Sequence, residues 1–209
     1  MAMLLAVVLL YVGAVLGVNG IWLIGQARAA AEPAPAAVIE GSRGGEAAPT
    51  RAERSPLYLQ GREVAVINIF TGFVGVVVAL ILLVQGAVRS DLASARGGGF
   101  ILLFAFTYLW VAFNQYLSGS GRAFGWYCLF VAITAIPAGI YTLQNAGGNV
   151  AEVWLGLNWF AWAILWAVFW AFLALERPIG RLAGWLSIAV GIVTAWALGF
   201  IVLVGALAF

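Results

Sequence analysis

The chain reads as an all-α integral membrane protein of six transmembrane helices, on three observations. Of its 209 residues, 65% are hydrophobic and 9% charged, against roughly a quarter charged in a soluble domain. Apolar windows of about twenty residues, long enough to cross a ~30 Å hydrocarbon core as helix, recur along it. Each window is continuously apolar rather than alternating, so its backbone is satisfied as helix and not as a barrel strand.

In order, the spans are expected over 3–24, 64–86, 99–117, 124–143, 153–175 and 183–206. The first is followed by Ala27-Arg28-Ala29-Ala30-Ala31, which resembles the stretch before a signal-peptidase site. No basic region precedes it, and its ~22 apolar residues exceed a signal-peptide core, so it is read as a retained helix. Residues 27–60 differ in kind, with Pro33, Pro35, Pro49, Pro56, the Gly44-Gly45 pair and few large apolar side chains. Such a stretch cannot bury enough surface to offset its ordering entropy. It is expected to be a flexible cytoplasmic loop, with partner docking as the alternative. The connections at 117–123 and 177–182 are short, so successive helices should form antiparallel hairpins in one bundle, a single domain over 1–209. Spans four and six share Gly-Trp and Thr-Ala pairs, Gly125-Trp126 and Thr134-Ala135 against Gly184-Trp185 and Thr194-Ala195, a hint of repeated hairpins.

Charge sets the expected orientation. All ten basic residues are Arg; the loops after spans one, three and five receive Arg28, Arg43, Arg51, Arg54, Arg62, Arg122, Arg177 and Arg181, the other side Arg89 and Arg96. Arg is retained in the cytoplasm on insertion, which places both termini outside a bacterial-type inner membrane. The net charge of +2 is then a topology signal rather than a mark of nucleic-acid binding.

No ionisable side chain falls at the centre of a span: Glu63, Glu152 and Glu176 lie at predicted helix ends. Energised carriers usually hold their coupling group inside the membrane. Phosphate-binding loop, nucleophile elbow and zinc motif are all missing from the sequence, histidine is absent, and the single cysteine, Cys128, reads as packing. Neither enzymatic work nor a cofactor or metal is expected. The helices carry neutral polar groups instead: Asn19, Asn68, Thr71, Thr107, Asn114, Thr134, Asn158, Ser187 and Thr194. These either join helix to helix or line a passage for a neutral polar molecule. In span five, Trp159, Trp162, Trp166 and Trp170 recur at spacings of three, four and four. At ~100° per residue they share an arc of roughly 80° and climb about 16 Å, too deep for an interfacial belt. Helix packing and an aromatic pore wall are the two readings; the wall would offer planar amides a stacking surface and indole donors.

Taken in order, several stretches resemble the AmiS/UreI family of amide and urea channels. They are Leu9-Leu10-Tyr11-Val12-Gly13 with Asn19-Gly20, Asn68-Ile69-Phe70-Thr71-Gly72, Phe106-Thr107-Tyr108-Leu109 with Asn114, Gly125-Trp126-Tyr127, Leu129-Phe130-Val131-Ala132-Ile133 with Pro137, and the Trp stripe ending in Glu176. Pro178, Gly180, Trp185-Leu186 and Gly191-Ile192-Val193-Thr194-Ala195-Trp196 continue the match. The resemblance implies three hairpins around a private pore in each protomer, and a homo-hexameric ring with a lipid-filled centre. It also implies constrictions at Val12, Leu16, Phe106, Trp110, Trp166 and Trp170, with Trp159 nearby. Thr134 and Val190 depart from the family pattern of Asn and Glu, and the long 27–60 loop has no family counterpart.

The expected function is a passive channel for urea or short-chain amides such as acetamide, lined by those residues together with Asn19, Asn68, Asn114 and Trp162. A structural or signalling membrane protein and a proton-coupled transporter using Glu176 are the competing classes. Acid gating is not expected, because the acids placed outside are Asp91 and Glu152 and carboxylates ordinarily titrate near pH ~4.

Overall fold

The computed structural model describes residues 2–32, 51–117 and 119–209. Six helices long and apolar enough to cross a membrane account for most of them. They are α1 (Ala2–Ala29), α2 (Gly61–Arg89), α3 (Leu92–Asn114), α4 (Arg122–Asn145), α5 (Val150–Leu173) and a sixth span, Gly180–Leu203. That last span is α6 (Gly180–Val190), a π-helical segment Gly191–Trp196, and α7 (Ala197–Leu203).

Two tight hairpins form where the connection carries its own turn chemistry. Between α2 and α3, Ser90 takes a left-handed conformation (φ 53°) and Asp91 caps α3, accepting from the Ala93 amide at 2.9 Å and the Ser94 hydroxyl at 2.6 Å. Between α4 and α5, Gly147 and Gly148 supply positive φ and Asn149 caps α5 through the Glu152 amide at 3.1 Å. The third close pair is α1 with the sixth span, which are far apart in sequence. They meet on small residues: a Cβ on Gly20 would lie 2.5 Å from the Gly184 carbonyl oxygen, and one on Gly184 would lie 2.8 Å from that of Gly20. The close pairs are thus α2 with α3, α4 with α5, and the sixth span with α1, whereas the short connections at 117–123 and 177–182, expected to close hairpins, lead from one pair to the next.

Two boundaries differ from the sequence reading. Helix α3 begins at Leu92, seven residues before the expected 99, although Gly97-Gly98-Gly99 reads as a breaker. Asp91 provides the cap, and Gly98 is where α3 lies on α2, since a Cβ there would sit 2.8 Å from the Ala79 carbonyl oxygen. At the other end of the bundle α1 runs on to Ala29, and residues 51–60 lean against it. The Gln26 side-chain amide donates to the Leu59 carbonyl at 3.1 Å, and Glu32 accepts from the Ala52 amide at 3.1 Å. The central part of the expected loop, 33–50, lies outside the described residues.

Candidate functional site: a one-ended aromatic cavity

A cavity of about 290 Å³ enters the bundle at the end that carries both chain termini. Arg96, Asn145, Glu152 and Phe209 stand at its mouth. The C-terminal segment is held there by the α4–α5 connection, with the Asn149 side chain donating to the Ala208 carbonyl at 3.0 Å. Inward, α1 contributes Leu5, Leu9, Val12 and Leu16. Their spacing of four, three and four residues keeps them on one helix face. Helix α3 contributes Phe100, Phe104 and Tyr108, and α5 contributes Trp159, Trp162 and Trp166. From Leu5 to Leu16 is eleven residues of helix, so the cavity descends ~16 Å, about half of a hydrocarbon core, before it closes.

The wall is built from rings in contact. The Phe104 centroid lies 5.4 Å from Trp159, 5.1 Å from Trp162 and 6.2 Å from Trp166. Among the described residues, Arg96 and Glu152 are the charged side chains of the lining, both at the mouth. Arg96 rests over the Tyr141 ring at 4.3 Å, a cation–π contact that holds it to α4. Nearby, the Ser94 hydroxyl holds the Asp91 carboxyl below its ordinary value. At the inner end Trp166 is 4% exposed and its indole N–H is buried, with no partner among the described residues. A buried donor left bare costs free energy, which marks this indole for explanation.

Of the residues singled out from sequence, Val12, Leu16, Trp159, Trp162 and Trp166 line the cavity, whereas Asn19, Asn68, Phe106, Trp110, Asn114 and Trp170 do not. Phe106 lies away from it, its side chain 47% exposed on the outer surface of the bundle. It stands ~200° around α3 from Phe104, which takes the inner position. Asn19 and Asn68 bond to each other, so they join α1 to α2. Trp110 packs on Phe124 and Tyr127 at 5.7 and 5.6 Å, and Trp170 on Trp126 at 6.1 Å, with its N–H also unpartnered among the described residues. Trp170 lies four residues past Trp166, ~6 Å beyond the closed end. Glu176, the candidate coupling acid, pairs with Arg122 at 2.8 Å at the surface opposite the mouth. Sequence reasoning missed Phe100, Phe104 and Tyr108, although aromatic residues four apart are a readable helix-face signal. Arg96 was missed because the glycines hid the start of α3.

Six apolar spans around an aromatic cavity, with charge confined to its mouth, define a polytopic membrane protein of the channel and transporter class. The chain belongs to the AmiS/UreI family of transporters, whose pattern matches residues 57–206. It is 32% identical over 157 residues to a Helicobacter pylori protein named acid-activated urea channel, covering 65% of this chain and 80% of that one. It is 30% identical over 198 residues to a Rhodococcus erythropolis protein carrying the name transporter protein AmiS2, covering 94% of this chain and 78% of the relative. The crystal structure of the urea channel from Helicobacter pylori superposes with a TM-score of 0.74 at 28% identity, over 97% of this chain and 99% of that one.

Proposed function

We propose that this protein is a passive channel for small neutral amides, urea and short-chain aliphatic amides such as acetamide. The observation that carries the reading is the Trp166 indole N–H, buried and unpartnered among the described residues at the inner end of a ring-walled cavity. A planar amide entering there stacks on Trp159, Trp162 and Phe104 and offers its carbonyl to Trp166. An ion finds nothing along that wall to replace its water. The names of the relatives, a urea channel and an AmiS transporter, support the same substrate class.

In this reading Val12, Leu16, Trp159, Trp162, Trp166 and Phe104 form the wall of the first half of the passage. The second half continues past Trp110 and Trp170 toward the Arg-rich end. Both termini and the cavity mouth face outward from a bacterial-type inner membrane, as the Arg distribution supports. The protomers form a homo-hexameric ring around a lipid-filled centre. The channel stands open without acid, because the sequence holds no histidine.

The test is solute permeability of proteoliposomes by stopped-flow light scattering, comparing wild type with Trp166→Phe. Removing one hydrogen-bond donor on the path is expected to slow urea and acetamide flux about fivefold, the scale of a single bond. Equal flux in both, in correctly assembled protein, contradicts the assignment.

A further inference from the structure

Within the reading of the cavity as an amide passage, one wall residue differs from its neighbour. Trp162 faces the cavity as Trp166 does, yet its indole N–H is occupied. Nε1 donates to the Thr194 hydroxyl at 2.8 Å, and that hydroxyl donates onward to the Val190 carbonyl at 2.6 Å. The Thr194 carbonyl in turn accepts from the Asn158 side chain at 2.7 Å. Trp162, Thr194, Val190 and Asn158 are 6%, 4%, 6% and 3% exposed, so water does not compete for these bonds. Thr194 stands in the π-helical segment Gly191–Trp196, a backbone form that recurs at functional sites.

Tying the N–H to the sixth span fixes the ring. Trp162 stands nearly edge-on to Trp159 (78°) and to Phe104 (68°), its polar atom turned to Thr194. The surface it gives the cavity is therefore hydrocarbon. One turn further in, Trp166 has no such acceptor and keeps its donor free. Trp162 thus gives the wall an apolar strip beside Trp166.

We propose that Thr194 is a positioning residue that sets the specificity of the passage: by holding the Trp162 N–H it keeps the strip beside Trp166 apolar. The passage is thereby fitted to short-chain aliphatic amides, whose carbonyl meets Trp166 while the alkyl group slides along Trp162 and Phe104. Urea, with a second amino group in place of the alkyl group, gains nothing from that strip.

The experiment measures permeability of proteoliposomes to acetamide, propionamide and urea and reports the amide-to-urea ratio, which does not depend on how much protein is incorporated. Thr194→Val and Thr194→Ala remove the acceptor and bare the Trp162 N–H. The ratio is then expected to fall about fivefold, because the untied Trp162 ring turns its donor toward the cavity, where it holds water that an alkyl group displaces without replacing its bond. Thr194→Ser keeps the acceptor and is expected to hold the wild-type ratio within about twofold, as its hydroxyl donor and acceptor capacity is the same. An unchanged ratio in Val and Ala, or an equal fall in Ser, overturns the proposal. So does failure of Val and Ala to assemble, which would make the hydroxyl purely structural. Wild-type vesicles no more permeable than empty ones would overturn the reading of the cavity itself, and this proposal with it.

Discussion

Asn19 and Asn68 exchange hydrogen bonds in both directions, Asn19 Nδ2 to Asn68 Oδ1 at 3.1 Å and Asn68 Nδ2 to Asn19 Oδ1 at 2.7 Å. Asn68 also donates to the Val64 carbonyl of its own helix at 2.9 Å. The pair joins α1 to α2, two helices whose connection is too long to hold them together. Asn68→Leu leaves the buried Asn19 amide without its partner and is expected to cost ~1–2 kcal/mol. The Asn19→Leu/Asn68→Leu double variant should lose less than the single one, since replacing both polar partners removes the unpaired group. Unfolding midpoints in detergent check this; a single variant as stable as wild type would show that the amides carry no weight.

Phe104 and Phe106 sit two residues apart on α3 and face opposite ways, one lining the cavity and the other exposed on the outer surface. Phe104→Ala opens the wall between three Trp rings and should change the acetamide-to-urea permeability ratio severalfold, a large change in apolar contact for either solute. Phe106→Ala should leave that ratio unaltered. The reverse result would place the passage on the other side of α3.

The packing of α1 on the sixth span leaves no room at Gly184, where a Cβ would lie 2.7 Å from the Ile24 side chain and 2.8 Å from the Gly20 carbonyl oxygen. Backbone cannot step aside as a flexible side-chain tip can. Gly184→Ala is expected to cost ~1–3 kcal/mol by overpacking and to reduce recovery of folded protein. Gly17→Ala, on α1 with open space around its Cβ, is the control. Ala is the better helix former, so propensity alone would stabilise both variants, and equal loss in both would contradict close approach as the reason for Gly184.

The number and length of the spans were legible in the sequence because lipid demands long uninterrupted apolar helices, and Arg marks their ends. The Trp stripe was legible for the same reason of period. Which face each residue takes was not. Asn19 and Asn68 read equally well as pore donors or as a helix joint, and only the approach of α1 to α2 decides. Phe106 differs from Phe104 by two residues of helix phase, and it is Phe104 and Tyr108, four apart, that line the cavity. Helix α3 was cut short because a run of three glycines signals a break when it is read locally, while Gly98 serves a crossing that only the tertiary structure contains.

Permeability should be flat over roughly external pH 5 to 8, the range in which an unperturbed histidine would act as a switch. Asp91, beside the mouth, is held below its ordinary value of 3.8, chiefly by the Ser94 hydroxyl. A depressed carboxyl contributes its cap to α3 above the ordinary value and loses it only as pH falls through the lowered one, outside the tested window. Glu176, paired with Arg122 at the exposed far end, should tolerate Glu176→Gln with flux changed less than about twofold, as expected of a surface ion pair. Flux measured with internal pH fixed and external pH stepped checks both. A severalfold opening centred near pH 6, or dependence of flux on the pH gradient, contradicts the account.

The most direct measurement pairs solute flux with ionic current in the same proteoliposomes. The account predicts urea and acetamide permeability well above that of empty vesicles, with no Na⁺ or Cl⁻ current above background, because a ring-walled passage with neutral donors serves a neutral planar solute and strips an ion of water without compensation. Ionic current that rises with the solute flux, or no solute flux from folded protein, would contradict it.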